Sequence, residues 1–122
     1  MSLQSRLVTA GFSATQSAGV QGTVASGLVA TGSTQATALI LGADNNAFST
    51  VAAGTGEILP TMNPGDDITV YNGGANALSI YPPVGGQIKG LGTNAAYSLA
   101  TATPLAYVVC ITPTLYVASQ AA

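Results

Sequence analysis

The stretch from Asn63 to Gly90, NPGDDITVYNGGANALSIYPPVGGQIKG, contains two short runs in which apolar and polar residues alternate. The runs are Ile68–Tyr71 and Ala77–Tyr81, and a period of two is typical of strands that bury one face. Asparagine and glycine residues between the runs favour a turn, and two prolines after the second run cannot donate to a strand ladder. The stretch therefore predicts a β-hairpin with one aliphatic face and an opposite face that carries Tyr71 and Tyr81.

The chain on both sides of this stretch supplies more short apolar runs separated by turn residues. They lie at residues 36–41, 47–51, 57–59, 95–99, 105–111 and 115–118. Together with the hairpin they make about eight or nine strands, with no amphipathic helix and no repeat at a fixed period. This pattern predicts an all-β fold, an antiparallel β-sandwich of the jelly-roll-like kind.

The composition divides the chain into two parts. Residues 1–34 consist mainly of Ala, Gly, Ser, Thr, Val and Gln, with Phe12 as the one large aromatic anchor, and we predict an extended N-terminal arm there. Residues 35–122 contain the regular strand pattern and form the predicted β-sandwich domain.

The sequence is nearly uncharged, with two basic and four acidic residues among 122 and 5% charged residues in all. Ordinary globular domains carry roughly 25%. With only Arg6 and Lys89 as cations, the chain has almost nothing to neutralise phosphates, which argues against binding to nucleic acid or to an anionic membrane. A neutral surface is instead suited to permanent contact with other protein subunits.

The residues needed for most catalytic mechanisms are absent. The chain has no histidine, and its one cysteine, Cys110, has no partner residue and is predicted to be a buried, inert thiol. Two interpretations of the four carboxylates remain open. Glu57 with Asp66 or Asp67 would form a glycosidase pair, and Asp66 and Asp67 with Asp44 or the Asn45-Asn46 carbonyls would hold a hard cation. Solvated turn residues explain the same pattern more simply, so we predict a protein that is not an enzyme and has no catalytic residue, cofactor or metal.

The tyrosines are the remaining candidates for recognition. Tyr71 and Tyr81, together with Phe12, are the predicted interface residues, because exposed aromatic rings anchor protein contacts. Two alternatives for the tyrosine pair are a platform for sugar stacking and packing beneath the N-terminal arm. We predict a structural role for the other three tyrosines, which are Tyr97, Tyr107 and Tyr116.

Several short motifs occur in order between residues 59 and 96. They include Leu59-Pro60, Asn63-Pro64-Gly65-Asp66, Tyr81-Pro82-Pro83 and Gly85-Gly86-Gln87-Ile88. This block resembles small structural proteins of tailed bacteriophages that decorate the capsid as cement proteins. The resemblance spans roughly residues 35–118, and residues 1–34 lie outside it. It implies an antiparallel β-sandwich or jelly roll, a homotrimer, the major capsid protein as partner and a place on the capsid surface of the virion.

The residues and the resemblance lead to the same hypothesis. The chain is expected to be a capsid decoration protein that binds the outer surface of the major capsid protein lattice and stabilises the head. The alternative is a receptor- or glycan-binding module of a phage tail or head fibre that uses Tyr71, Tyr81 and the asparagine-rich loops.

Overall fold

The computed structural model describes Gly11 and residues 22–122, so the predicted interface residue Phe12 lies outside the described residues. The described part folds entirely into strands and turns, and it contains no helix that could span a membrane. The ten strands are β1 (Val24–Val29), β2 (Leu39–Ile40), β3 (Asn45–Thr50), β4 (Gly56–Ile58), β5 (Asp67–Asn72), β6 (Leu78–Tyr81), β7 (Gln87–Ile88), β8 (Tyr97–Leu99), β9 (Leu105–Thr112) and β10 (Leu115–Ala121). The predicted all-β class is confirmed.

The strands form two sheets, and the chain alternates between them. Sheet A has six strands in the order β1-β3-β5-β9-β10-β7, and sheet B has four in the order β2-β4-β6-β8. Each pass of the chain therefore adds one strand to sheet A and the next to sheet B. Only β9 and β10 are consecutive strands of one sheet.

The predicted antiparallel arrangement is wrong, because both sheets are mixed. Five strand pairs are parallel, among them β1 with β3 and β3 with β5 in sheet A, and β2 with β4 and β4 with β6 in sheet B. Three pairs are antiparallel: β5 with β9, β9 with β10, and β6 with β8. Parallel neighbours need a crossover connection, and here a strand of the other sheet provides it.

The predicted hairpin is also wrong, because its two strands do not pair with each other. Its two runs are real strands, β5 and β6, but β5 pairs with β3 and β9 while β6 pairs with β4 and β8. The connection between them packs closely onto the end of β3, since a Cβ on Gly74 would lie 2.6 Å from the backbone nitrogen of Val51, the residue after that strand. This connection leads from sheet A to sheet B and is not a hairpin turn.

The parallel strands form a repeat with an uneven period. In sheet A, Val24 pairs with Asn45 and Asn45 with Thr69, and in sheet B, Leu39 pairs with Glu57 and Glu57 with Ile80. Successive partners are about 18 to 24 residues apart, so the sequence shows no fixed spacing.

Both sheets contribute to one buried core. Sheet A supplies Phe48, Val70 and Val108, and sheet B supplies Leu78 and Ile80. The part of the chain predicted as an arm also takes part in the fold, since β1 is one of the two edge strands of sheet A. Ala30, which is 4% exposed, donates its N–H to the carbonyl of Thr50 at 3.0 Å.

Candidate interaction face

The outward side of sheet A is apolar and open to solvent. Along β5 and β9 the residues alternate, so that Val70, Ala106 and Val108 are fully buried while Tyr71 and Tyr107 point outward and are each 47% exposed. Other exposed apolar residues on this side are Leu105 and Ile111 of β9 and Val117 of β10. We call this surface the outer face of sheet A.

Strand register arranges the outer face of sheet A in three rows that cross β5, β9 and β10. Residues that pair on neighbouring strands project to the same side of a sheet. The rows are Tyr71–Leu105–Ala121, Thr69–Tyr107–Ser119 and Asp67–Val109–Val117. Large residues therefore follow β9, and the first two rows end in small residues on β10.

Asp67 is the acidic residue of this face. The Tyr107 hydroxyl donates a hydrogen bond to its carboxylate from the adjacent strand. This hydrogen bond, with smaller contributions from burial and from the negative charge, raises the pKa of Tyr107 above its ordinary value. The phenol therefore remains protonated and donates its hydrogen bond to the Asp67 carboxylate.

Lys89 lies at the opposite end of the third row. Its N–H donates to the Tyr116 carbonyl at 2.8 Å, which continues the parallel β7–β10 ladder by one residue and places Lys89 beside Val117. Because Ile88 is buried, alternation turns the exposed Lys89 to the outward side. Within the described residues, this face thus has one negative and one positive side chain, separated by Val109 and Val117.

The structure does not bring Tyr71 and Tyr81 together, because they belong to different sheets. Tyr81 is half-buried on the outward side of sheet B, in a row with Ile58 and the exposed Ile40. Its hydroxyl donates to the Ser33 carbonyl at 3.2 Å. We call the row Ile40–Ile58–Tyr81 the outer row of sheet B.

The predicted structural role of Tyr107 is wrong in one respect, since the structure leaves this side chain 47% exposed on the outer face of sheet A. The run Leu105–Ile111 is apolar at nearly every position, so alternation alone does not tell which set is buried. The structure buries the smaller set, Ala106, Val108 and Cys110, and exposes the bulkier one. The structural prediction for Tyr116 is confirmed, since this residue is fully buried.

The structure does not place Glu57 beside Asp66 or Asp67, as a glycosidase pair would require. Asp44, Asp66 and Asp67 line a cleft of about 380 Å³, but Glu57 lies elsewhere, inside the core. Two of these aspartates accept hydrogen bonds from the backbone: Asp44 from the N–H of Thr23, 21 residues earlier in the chain, at 2.8 Å, and Asp66 from the N–H of Asn63 in the same turn at 2.9 Å. No cluster of three metal-ligating side chains occurs among the described residues. Backbone N–H groups therefore hold two of the three aspartates of this cleft, and Glu57 is not among its lining residues.

Glu57 is fully buried on β4, between its register partners Leu39 and Ile80. Neither of its carboxylate oxygens has a hydrogen-bond partner in the described part of the chain. Burial raises the pKa of Glu57 well above its ordinary value, and no charged group contributes. The side chain is thus a buried acid that favours its neutral form.

Cys110 is also buried, as predicted. Burial and the nearby negative charge of Asp66 raise the pKa of its thiol, against an opposing hydrogen bond with Tyr116. A raised pKa keeps a thiol protonated and weakly nucleophilic.

Comparisons of the chain with protein-family models, with curated proteins and with solved structures found no match. A functional proposal therefore depends on the two outward surfaces and on the motifs between residues 59 and 96.

Proposed function

We propose that this chain is a structural virion protein, a decoration protein that binds the outer surface of a major capsid protein lattice and stabilises the head. The observation that carries the proposal is the presence of separate apolar surfaces on the outward sides of both sheets. Monomeric proteins rarely expose large contiguous apolar patches, and such patches commonly mark protein contacts. A cementing subunit needs at least two contacts, one with the shell and one with a neighbour.

The charge distribution supports this proposal. On the outer face of sheet A only Asp67 and Lys89 are charged among the described residues, and the outer row of sheet B has no charged member. Contacts through these surfaces depend mainly on apolar burial, which is not screened by salt.

We also propose that the two sheets pack face to face as a β-sandwich. The shared core supports this arrangement, since inward residues of both sheets belong to one cluster. The parallel strand pairs favour a sandwich built by alternating passes over the jelly-roll variant.

The copy number in native particles tests the proposed function. Particles from the native source are sedimented, and this chain is quantified against the most abundant co-sedimenting protein. A near-integer ratio of about one per major shell subunit supports a lattice component. A ratio of a few per cent would indicate a fibre or tail tip, and absence from large particles would overturn the proposal.

Salt resistance is a second expected property. Because the contacts are mainly apolar, the protein should remain bound to its particles in about 1 M salt. The measurement is the bound fraction after sedimentation at low and high salt. Release by salt alone would contradict contact through these two surfaces.

One observation favours the alternative, a glycan- or receptor-binding module of a tail or head fibre. Tyr71 and Tyr107 expose their rings on adjacent strands, which is suited to stacking on sugar rings. A glycan array with the wild type and with Tyr71→Ala separates the two functions. A decoration protein gives no signal, whereas a glycan module gives one that the substitution removes.

A further inference from the structure

We propose that the outer face of sheet A binds the same face of a second copy of this chain, through a twofold axis that runs parallel to the strands between β9 and β10. This inference goes beyond the proposed function, and it does not depend on which shell protein the chain binds. It is based on the self-complementarity of the three rows, since a twofold contact uses the same patch on both copies.

The rows are complementary in size. A twofold axis between β9 and β10 places β9 of one copy over β10 of the other. Each β9 residue of one copy therefore faces, on the second copy, the β10 residue with which it pairs inside its own sheet. Leu105 then faces Ala121, and Tyr107 faces Ser119. Large side chains of one copy thus meet small side chains of the other, which allows the two faces to interdigitate.

The third row is complementary in charge. Asp67 and Lys89 lie at its two ends, three strand spacings or roughly 14 Å apart, which is too far for a salt bridge within one subunit. The same twofold axis places Asp67 of each copy opposite Lys89 of the other, with Val109 over Val117 between them. A dimer therefore gains two ion pairs that a single subunit cannot make.

The size of the face predicts the strength of the contact. The overlapping part of the two faces comprises three rows on β9 and β10 and one row on β5 and β7, or about 260 Å² of projected area in each copy. This is well below the standard size of about 800 Å² per partner, as for a weak, transient contact. We therefore expect a reversible dimer with a Kd in the micromolar range or above, which becomes populated when a lattice concentrates the subunits.

Sedimentation equilibrium of the full chain, without any shell protein, tests this dimer. The wild type is compared with Asp67→Lys, with Lys89→Asp and with the double variant that carries both substitutions. Each single variant sets like charges opposite each other at two places in the dimer, and we expect at least a tenfold higher Kd. The double variant restores opposite charges and should return to within about threefold of the wild-type Kd.

Two further variants keep the test decisive if a charge reversal disturbs folding. Ala121→Arg adds bulk opposite Leu105 at the exposed end of β10 and should also raise the Kd at least tenfold. Ser98→Lys adds a charge on the outward side of sheet B and should leave the Kd unchanged. Circular dichroism confirms that each variant is folded.

Three results would overturn the inference: a wild type that stays monomeric up to millimolar concentration, a trimer such as the family resemblance implies, or a dimer whose Kd is insensitive to Ala121→Arg and to the charge reversals. The measurement uses free protein, so its failure leaves the copy number in particles to decide the proposed function separately.

Discussion

At the scale of single residues, three polar side chains are buried in the described part of the chain, Asn46, Glu57 and Asn72, and the last two differ in whether their hydrogen bonds are made. Asn72 is buried with its hydrogen bonds made: its Nδ2 donates to the carbonyls of Asn76 at 2.9 Å and Leu99 at 3.2 Å, and its Oδ1 accepts from the N–H of Gly74 at 3.0 Å. Glu57 is buried without such partners. Asn72 holds the crossover from sheet A to sheet B, and Glu57 makes stability depend on pH.

Replacing Glu57 with glutamine should remove a pH-dependent part of the stability. The pKa of Glu57 is higher in the folded chain than in the unfolded chain, where it is about 4.3. The folded state therefore binds the proton more tightly, and this stabilisation is fully present below about pH 4.3 and is lost as pH rises through the folded pKa. Urea denaturation of the wild type and Glu57→Gln between pH 4 and 9 measures the difference.

As pH rises, the unfolding free energy of the wild type should fall relative to that of Glu57→Gln. A difference that stays constant from pH 4 to 9 would contradict the buried acid. Glu57→Leu removes the unpaired polar group as well, and at pH 8 it should be more stable than the wild type by about 1–3 kcal/mol.

Replacing Asn72 with alanine should destabilise the fold by about 2–4 kcal/mol, because it leaves three backbone groups at the crossover without their partner. Asn63→Ala is a matched control at an exposed turn position, and it should change stability by less than about 0.5 kcal/mol. Both values come from urea denaturation at one pH. Equal effects would mean that the Asn72 side chain does not hold the crossover.

At the scale of strands, sequence reasoning located most of the elements but not their partners. The runs at 47–51, 105–111 and 115–118 overlap β3, β9 and β10, because period-two patterns report which residues line a strand. A pattern of this kind contains no information on which sheet the strand joins. The pairing of β5 and β6 with other strands depends on long-range contacts, so the turn residues between them suggested a hairpin that does not form.

Sheet B should be sensitive to added bulk at Gly56, where β4 passes close to β6. A Cβ at this position would lie 2.6 Å from the Ser79 carbonyl oxygen and 3.0 Å from the ring of Tyr81. We expect Gly56→Ala to destabilise the protein by about 1–3 kcal/mol.

Gly42→Ala is the control for this prediction, since a Cβ there meets no atom within 4 Å. It should change the thermal unfolding free energy by less than about 0.5 kcal/mol. A Gly56→Ala variant as stable as Gly42→Ala would contradict the close approach of β4 and β6.

At the scale of the whole molecule, two outward apolar surfaces on one small, nearly neutral subunit suggest a division of roles. If the outer face of sheet A joins two copies, the outer row of sheet B remains available to bind the shell protein. Ile40, 73% exposed, is the most accessible member of that row. The two contacts can then be disrupted separately.

Ile40→Lys should lower the occupancy of the protein on its particles at least tenfold, because it places a charge in an apolar contact. Occupancy is measured by sedimentation with particles that lack the wild-type chain. Thr101→Lys, at an exposed loop position, is the control and should bind like the wild type. Full occupancy of Ile40→Lys would place the shell contact elsewhere on the subunit.

The sequence by itself determined the all-β class, the nearly neutral surface and the burial of Cys110, because these follow from composition and from local alternation. It also selected Tyr71, which the structure exposes on the outer face of sheet A. Only the tertiary structure decided that strands alternate between two mixed sheets, that Tyr107 is exposed and Tyr81 lies on the other sheet, and that Asp67 and Lys89 share a row. Those features depend on which strands become neighbours, and that choice is made by packing between residues far apart in the chain.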